Sequence, residues 1–310
     1  MNELGLVQKV WNYAHVLRDQ GVPYQAYISQ ISYLLFLKMD DERAGLAAYG
    51  IPNGSAIPED CRWPVLRDLQ GEELTRRYSA ILEKLSRRSG IVGTIFLKAQ
   101  NGIQDPAKLR RLVGLIDGET WLGLGVDVKC SIYEGLLERN AQEVKSGAGQ
   151  YFTPRALIDA MVTMIDPEPR ETVHDPACGT GGFLLAAWEH MSKKPRAQCR
   201  DLHRNAVALF GDRHCPPPKV VRLCAMNLYL HDIAGRDSPV EARNALLGDG
   251  GKTYDLVLTN PPFGKKQSYR IVRDDGEIDT EREDYDCHDF FVTTSNKQLN
   301  FLQQHHDRAG

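Results

Sequence analysis

The sequence predicts an α/β fold, in which an open parallel sheet is preceded by an all-helical domain. Over the first 141 residues, apolar side chains recur at helical spacing, as they do from Leu6 to Leu17. From residue 142 onward, short apolar runs alternate with helical patterns, and a glycine-rich turn joins the first such run to a helix. This alternation is typical of a parallel sheet. We therefore predict two domains, 1–141 and 142–310.

The composition is that of a globular protein without a strong affinity of its own for nucleic acid. Hydrophobic residues make up 42% and charged residues 25% of the 310 positions, and the net charge is −3. Tight binding of DNA phosphates needs a concentrated basic surface, so a DNA substrate would be held largely by a partner. The chain shows no signal-peptide pattern and no apolar run near membrane length, and its seven cysteines form no paired framework. We therefore expect a cytoplasmic protein without membrane contact.

A polar, small-residue segment at 142–149 marks the predicted domain boundary, and a candidate ligand-binding segment follows it. Thr153 suits the N-cap of the next helix, and Pro154 suits its first position. On a purely structural interpretation, this motif only starts a helix. On the functional interpretation, the segment forms one wall of a small-molecule pocket. Its residues are Gln150, Tyr151, Phe152, Thr153, Pro154 and Arg155.

The segment 175–182 predicts a ligand-binding turn between a strand and a helix. Glycines let the backbone approach a ligand closely and leave amide groups free to bind it. A lone glycine-rich turn is equally open to dinucleotides, but their fingerprint is Gly-x-Gly-x-x-Gly, whereas this turn follows an acid. An acid there suits the positively charged end of S-adenosylmethionine, which we predict as the cofactor. The predicted contacts are Asp175, Gly179, Thr180, Gly181 and Gly182.

Three further strands are predicted to end at polar residues. The strands and these residues are 206–210 with Asp212, 243–247 with Asp249, and 254–259 with Asn260. Ligands of open α/β sheets bind at the carboxyl edge of the strands. We therefore expect all three residues to line up with Asp175 along one edge. There Asp212 is placed for the ribose hydroxyls and Asp249 for the adenine amine of the cofactor.

The stretch Asn260, Pro261, Pro262 and Phe263 carries the predicted catalytic chemistry. The prolines end a buried strand and fix the backbone, so the Asn260 side-chain oxygen and the Pro261 carbonyl can accept from one amino group. Phe263 offers a flat face for stacking. The arrangement suits an exocyclic amine on a planar ring, such as that of adenine, because two acceptors would shift it toward a nucleophilic geometry.

Two other patterns lie outside these motifs. The charged segment 265–289 predicts a mobile loop on the substrate side, where Lys265 and Lys266 are placed to meet phosphates beside an extruded base. We predict no metal site, because the spacing of the candidate zinc ligands matches no paired-ligand pattern. These candidates are Cys199, His203, His214, Cys215 and Cys224.

Together these motifs resemble the modification (M) subunit of type I restriction-modification systems, an adenine-N6 DNA methyltransferase. The matching stretches are 150–155, 175–184, 222–231, 260–264 and 294–301. The resemblance implies a Rossmann-like S-adenosylmethionine-dependent methyltransferase sheet, double-stranded DNA as substrate and a target adenine that is flipped out of the duplex. It also implies a complex with a specificity (S) subunit and a restriction (R) subunit.

The chain departs from this family in two places. Asp212 stands one position earlier than the family's acid. Family members also continue with further strands and a helical tail, whereas this chain stops at Gly310, so we expect an incomplete sheet with an unpaired edge. Two other functions stay open. One is methylation of a protein glutamine, which uses the same Asn-Pro-Pro-aromatic pattern, and the other is a truncated, non-catalytic scaffold that binds DNA or the specificity subunit.

Overall fold

The computed structural model describes most of the chain, in stretches separated by gaps. The described residues are 3–17, 24–47, 55–121, 153–194, 206–210, 218–234, 237–242, 245–247, 253–261, 268–272, 278–282, 291–294 and 296–306. The chain divides into two compact units, one made of Met1–Lys145 with Pro218–Pro239 and the other of Ser146–Pro217 with Val240–Gly310. The predicted boundary at residue 142 lies outside the described residues and stays a prediction.

Helices dominate the described residues, and the strands are short. The helices are α1 (Glu3–Leu17), α2 (Tyr24–Ala47), α3 (Trp63–Arg67), α4 (Gly71–Ser86), α5 (Gly90–Ile95), α6 (Pro106–Asp117), α7 (Arg155–Ile165), α8 (Gly182–Ser192), α9 (Pro218–Leu230) and α10 (Lys297–His306). The strands are β1 (Val173–Asp175), β2 (Ala206–Phe210), β3 (Val240–Ala242), β4 (Leu256–Val257), β5 (Ser268–Val272) and β6 (Ile278–Arg282). None of the described helices is long and apolar enough to cross a membrane.

The first unit is a helical bundle whose core contains several packed aromatic rings among aliphatic side chains. Tyr33 of α2 stacks on Phe96 with 5.4 Å between ring centroids, and Phe36 meets the same ring edge-on at 5.8 Å. Trp63 is fully buried, and its indole nitrogen donates to the Asp117 carboxylate at 2.7 Å. Burial of large rings drives such a core to form, and the indole N–H needs a partner once it is buried. Within the described residues, the predicted all-helical domain is confirmed.

Helix α9 belongs to the first unit, although the sequence places it within the predicted catalytic domain. Arg222 of α9 is buried, with its Nε donating to the Ile95 carbonyl at 2.9 Å and its guanidinium 4.5 Å from the centre of the Tyr33 ring. The Tyr229 hydroxyl donates to buried Asp40 at 2.7 Å. These buried polar contacts hold α9 against α2 and α5.

The second unit contains a sheet of four parallel strands in the order β3-β2-β1-β4. Val173 of β1 pairs with Ala206 of β2 and with Leu256 of β4, so β1 is central. This sheet confirms the predicted α/β fold, and β2 has the predicted bounds. Leu256 and Val257 are half-buried rather than fully buried as predicted, because β4 has a neighbouring strand on one side only among the described residues.

Thr172 and Asp255 join the amino ends of β1 and β4. Both the Thr172 amide and the Thr172 hydroxyl donate to the Asp255 carboxylate at 2.7 Å, and the Asp255 amide donates to the Thr172 hydroxyl at 3.0 Å. These hydrogen bonds hold the pKa of Asp255 below its usual value. The strand pairing continues with the Leu256 amide on the Thr172 carbonyl at 3.0 Å and the Leu258 amide on the His174 carbonyl at 2.9 Å.

Two predicted stretches have a different structure. The third strand is Val240–Ala242 rather than 243–247, and Ala245–Leu247 forms a 3₁₀ turn. Ala245 and Leu246 pack against Phe301 and Ala177, so these apolar residues fill a small core instead of extending the sheet. The predicted mobile loop at 265–289 contains an antiparallel pair, β5 with β6, in the residues that are described. The β-branched residues of this segment favour strands. Its high charge content led to the prediction of a loop instead.

Gly93 provides a test of packing in the first unit. A Cβ at this position in α5 would lie 1.9 Å from the Arg88 carbonyl oxygen. We expect Gly93→Ala to lower the free energy of unfolding by about 1–3 kcal/mol, because backbone must move to relieve the overlap. Gly114 of α6 is the matched control, since nothing lies within 4 Å of its Cβ position, and alanine there should stabilise the helix by up to ~1 kcal/mol. Urea unfolding followed by circular dichroism measures both variants, and a similar effect of the two would contradict this packing.

Gly182 provides the corresponding test in the second unit. It begins α8, and a Cβ there would lie 2.9 Å from Cδ1 of Ile158 on α7. We expect Gly182→Ala to lower the thermal unfolding temperature, and adding Ile158→Val to recover much of the loss because valine lacks the crowded methyl. Ile158→Val alone should cost about 0.5–1.5 kcal/mol. Independent, additive losses in the double variant would show that the two positions do not compete for space.

Candidate active site

The turn between β1 and α8 has the backbone geometry of a ligand-binding loop. Gly179 and Gly181 have φ angles of +54° and +89°, in the left-handed region that favours glycine. The Ala177 amide donates to Asp175 Oδ1 at 3.0 Å, and the Gly181 amide donates to the Cys178 carbonyl at 2.7 Å, which closes the turn. Nothing lies within 4 Å of the position that a Cβ of Gly179 would take, so the turn leaves space beside its backbone.

The start of α8 adds polar groups to this turn. Gly181 is the N-cap, and no described side chain makes a capping hydrogen bond there. The first intrahelical bond runs from the Leu185 amide to the Gly181 carbonyl at 2.9 Å, so the preceding amides have no partner within the helix. Such a helix start favours negatively charged groups, such as a carboxylate. The close packing of Gly182 against Ile158 explains why a residue without a Cβ occupies this position. The predicted role of Gly182 as a cofactor contact stays a prediction.

Asp175 is a buried carboxyl group without a cationic partner among the described residues. It is 1% exposed at the end of β1. Burial raises its pKa to about 7, although the nearby Thr259 side chain and the hydrogen bond from the Ala177 amide oppose the rise. A carboxylate in such surroundings is stabilised by a cation brought by a ligand. The buried Asp175 carboxyl group therefore fits the positively charged end of S-adenosylmethionine.

Asn260 lies just beyond the end of β4, and its side chain contacts the start of α7. Its Nδ2 donates to the Thr153 hydroxyl at 2.9 Å, with both side chains partly buried. Thr153 is therefore not the N-cap that the sequence predicts. Pro154 holds that position, with no side-chain capping bond, and Arg155 is the first helical residue. The prediction was off by one because Thr153 is paired with Asn260 from a distant part of the chain.

The structure brings four polar residues close together at the carboxyl edge of β1 and β4. Thr259 lies near Asp175, Asn260 follows Thr259 in the chain, and Nδ2 of Asn260 donates to the Thr153 hydroxyl. Thr259 was not among the predicted site residues. The sequence signal for it was its position one residue before Asn260, at the strand end that was already expected to face Asp175. Arg155 adds a further link, since its Nη1 donates to the Gly182 carbonyl at 3.3 Å.

Several predicted site residues lie outside the described residues, and their roles stay predictions. They are Gln150, Tyr151, Phe152, Asp212, Asp249, Pro262 and Phe263. Lys265 and Lys266 also lie there. Of the five candidate zinc ligands, Cys224 alone is described, and it is buried in α9 of the first unit. Among the described residues, no group of three or more acidic, histidine or cysteine side chains could hold a metal ion.

Comparisons with known proteins identify the family and support the fold. The family model for N-6 DNA methylase matches residues 125–308, and the model for the HsdM N-terminal domain matches residues 6–117. A protein from Vibrio vulnificus YJ016, proposed to be a modification subunit of a type I restriction enzyme, has a solved structure with a TM-score of 0.75. It is 23% identical and covers 99% of this chain and 67% of its own, and at that identity it supports the fold alone.

Two curated relatives are similar along nearly the whole chain. The type I restriction enzyme StySPI methylase subunit of Salmonella potsdam is 37% identical over 319 residues, and the EcoKI methylase subunit of Escherichia coli K12 is 36% identical over 321 residues. Each match covers 98% of this chain and 56% of the relative, so the chain spans about half the length of these relatives. Because the methylase model alone matches more than half of the 310 residues, the chain belongs to the N-6 DNA methylase family.

Proposed function

We propose that this chain is the methyltransferase part of a type I modification subunit, which methylates N6 of adenine in double-stranded DNA. The observation that supports it most directly is the placement of Asp175 and Asn260 at the ends of neighbouring parallel strands, on the same edge of the sheet. One residue suits a cationic cofactor and the other suits an amino group. A methyltransferase for exocyclic amines needs both at the same edge of its sheet.

The described residues on the cofactor side would each have a distinct role. S-adenosylmethionine, when bound, supplies an electrophilic methyl group on a positively charged sulfur. The Asp175 carboxylate would attract the positive charge of this molecule, and the turn through Gly179 and Gly181 would let the backbone lie close to it. The uncapped start of α8 would favour its carboxylate. From the sequence alone, we also propose that Asp212 contacts the ribose of the cofactor and that Asp249 contacts its adenine.

On the substrate side, Asn260 would bind the target amine. Its Oδ1 and the Pro261 carbonyl are acceptors, and the two hydrogens of an adenine amino group are the donors they fit. The base must leave the duplex to reach them, because the stacked helix shields its amine. Stacking of Phe263 on the extruded base completes the proposed site. No step needs a nucleophilic side chain, and Cys178, which is buried in the turn, is assigned none.

The proposed partners follow from the relatives and from the charge of the chain. The curated relatives are methylase subunits of type I restriction enzymes, and we extend to this chain a complex with a specificity subunit and a restriction subunit. A net charge of −3 supports a division of labour in which the specificity subunit provides much of the grip on DNA. We place the complex in the cytoplasm, where such DNA is found.

The decisive experiment measures methyl transfer and cofactor binding in the same variants. With the specificity subunit and DNA containing its site, we expect Asn260→Ala to reduce adenine methylation at least ~100-fold, because an acceptor for the reacting amine is lost. Calorimetry should show S-adenosylmethionine binding within about threefold of the wild type, since the turn that binds it is intact. Asn12→Ala, at an exposed position on α1, is the control and should leave both unchanged.

Other outcomes of this experiment would contradict the proposal. Equal loss of binding and turnover in Asn260→Ala would remove the assigned role of the asparagine. Methylation of a glutamine peptide but not of DNA would favour the protein-directed alternative. Binding of the specificity subunit and DNA by the wild type, without any turnover, would favour the non-catalytic scaffold.

Asp175 predicts a pH dependence of cofactor binding. A cationic ligand binds the ionised form of the Asp175 carboxyl group. Because the pKa of this group is about 7, Asp175 must release its proton for binding below that pH. We expect the affinity for S-adenosylmethionine to be level above pH 7 and to fall by up to ~10-fold for each pH unit below it. Calorimetry in buffers of different ionisation enthalpy measures the released proton. Asp175→Asn should bind weakly with no such slope, while Asp159→Asn, which changes an exposed carboxyl group on α7, should keep it.

The same residue predicts a pH dependence of stability. Its folded pKa lies above the ordinary value of 3.8, so the protonated form favours folding and this contribution is lost as pH rises through about 7. We expect Asp175→Asn to raise the thermal unfolding temperature by several degrees at pH 8 and by much less at pH 4. Asparagine stays neutral at both values and can still accept from the Ala177 amide. A variant that is less stable at pH 8 would contradict this account of the burial.

A further inference from the structure

Thr153 makes a contact that its predicted roles do not explain. The sequence predicts it as a helix cap and as part of the cofactor pocket, yet Pro154 is the cap and the Thr153 hydroxyl lies 2.9 Å from Nδ2 of Asn260. The two residues are 107 positions apart in the chain. A hydrogen bond between such distant residues, both at the predicted site, points to a joint role.

The observed bond leaves the acceptor end of the Asn260 amide available to a substrate. A carboxamide has a donor end and an acceptor end, and rotation about its last side-chain bond exchanges them. With Nδ2 donating to Thr153, Oδ1 lies at the opposite end of the amide plane. A hydrogen bond from Nδ2 also polarises the amide and makes Oδ1 a better acceptor. The amine of a target base would therefore meet the acceptor end first.

The hydroxyl is itself held by a firmly anchored segment. Thr153 directly precedes Pro154, whose φ is −55°, and α7 follows at Arg155. Ile158 and Val162 bury one face of α7, which packs against α8, and Arg155 bonds to the Gly182 carbonyl at 3.3 Å. A site residue supported by packed helices keeps its geometry better than one supported by a loop. The cofactor turn at the start of α8 and the position of Thr153 are thus part of one packed assembly.

We propose that Thr153 is a positioning residue for the methyl-transfer step, which orients the Asn260 carboxamide toward the target amine. The inference rests on the proposed function and adds to it a residue that acts through Asn260. It differs from a cofactor-binding role in what it predicts. Loss of the hydroxyl should impair turnover and leave the affinity for S-adenosylmethionine nearly intact.

The test compares a substitution that removes the hydroxyl group with one that keeps it. Thr153→Val keeps the shape and removes the acceptor, whereas Thr153→Ser keeps the acceptor. In complex with the specificity subunit, we expect Thr153→Val to lower kcat by about 10–100-fold, with KM and Kd for S-adenosylmethionine within about threefold of the wild type. Thr153→Ser should recover kcat to within about threefold. Unchanged kcat in Thr153→Val, or a raised Kd with unchanged kcat, would overturn the proposal, and the second result would assign the hydroxyl to the cofactor pocket.

A second measurement reports on the bond itself, independently of turnover. The side-chain amide signals of Asn260 in a proton–nitrogen correlation spectrum are identified by their absence in Asn260→Ala. We expect Thr153→Val to shift these two signals and to speed their exchange with water, and Thr153→Ser to restore them. Identical signals in Thr153→Val would overturn the proposal. A wild-type complex that shows the bond but methylates no adenine would instead contradict the proposed function, so the two failures are distinguishable.

Discussion

The pairing of β1 with β4 is the constraint on which the candidate site depends. Thr172 and Asp255 fix its register at the amino ends, and the pairing then continues to the bond between Leu258 and His174. A slip of one residue would turn every side chain of β4 to the opposite face. With the observed register, Thr259 lies near Asp175 and Asn260 directly follows Thr259 in the chain. The residues proposed to bind the cofactor and the target amine are thus placed by a hydrogen-bonded pair at the far end of both strands.

Burial of the Asp175 carboxyl group is unfavourable for folding, and other interactions in the fold must offset its free-energy cost. A buried carboxylate without a cation is costly, and Asp175 retains a proton to a higher pH than an exposed aspartate does. The hydrogen bonds that it accepts shape the turn and reduce this cost without removing it. Such a group is expected where a ligand supplies the missing charge, because binding then recovers energy that folding did not.

Local patterns in the sequence were sufficient for the parts of the site that depend on short stretches. Strand β2, the acid at the end of β1 and the glycine turn followed from β-branched runs, strand ends and glycine spacing. The failures involve long-range contacts. The sequence pattern predicts a strand at Ala245 and Leu246. In the structure they lie in a 3₁₀ turn and pack against Phe301 in a small core. The sequence predicts Thr153 as a helix cap because the local pattern does not reveal its partner. The residue that bonds to its hydroxyl group is Asn260, far along the chain. No periodicity within one segment can report such a partner.

The course of the chain between the two units adds a last consequence. Residues 218–239 leave the sheet unit after β2, complete the helical unit, and return before β3. Within the helical unit, Asp40 is buried and accepts from Tyr229 of α9, while Arg43 donates to the Tyr229 carbonyl at 3.0 Å. A fragment that ended near residue 141 would lack these partners, and it would leave Asp40 buried without the Tyr229 hydroxyl. The helical unit is therefore a separate compact body in space but not in sequence. The helix α9 that completes its core lies, in sequence, between two strands of the sheet.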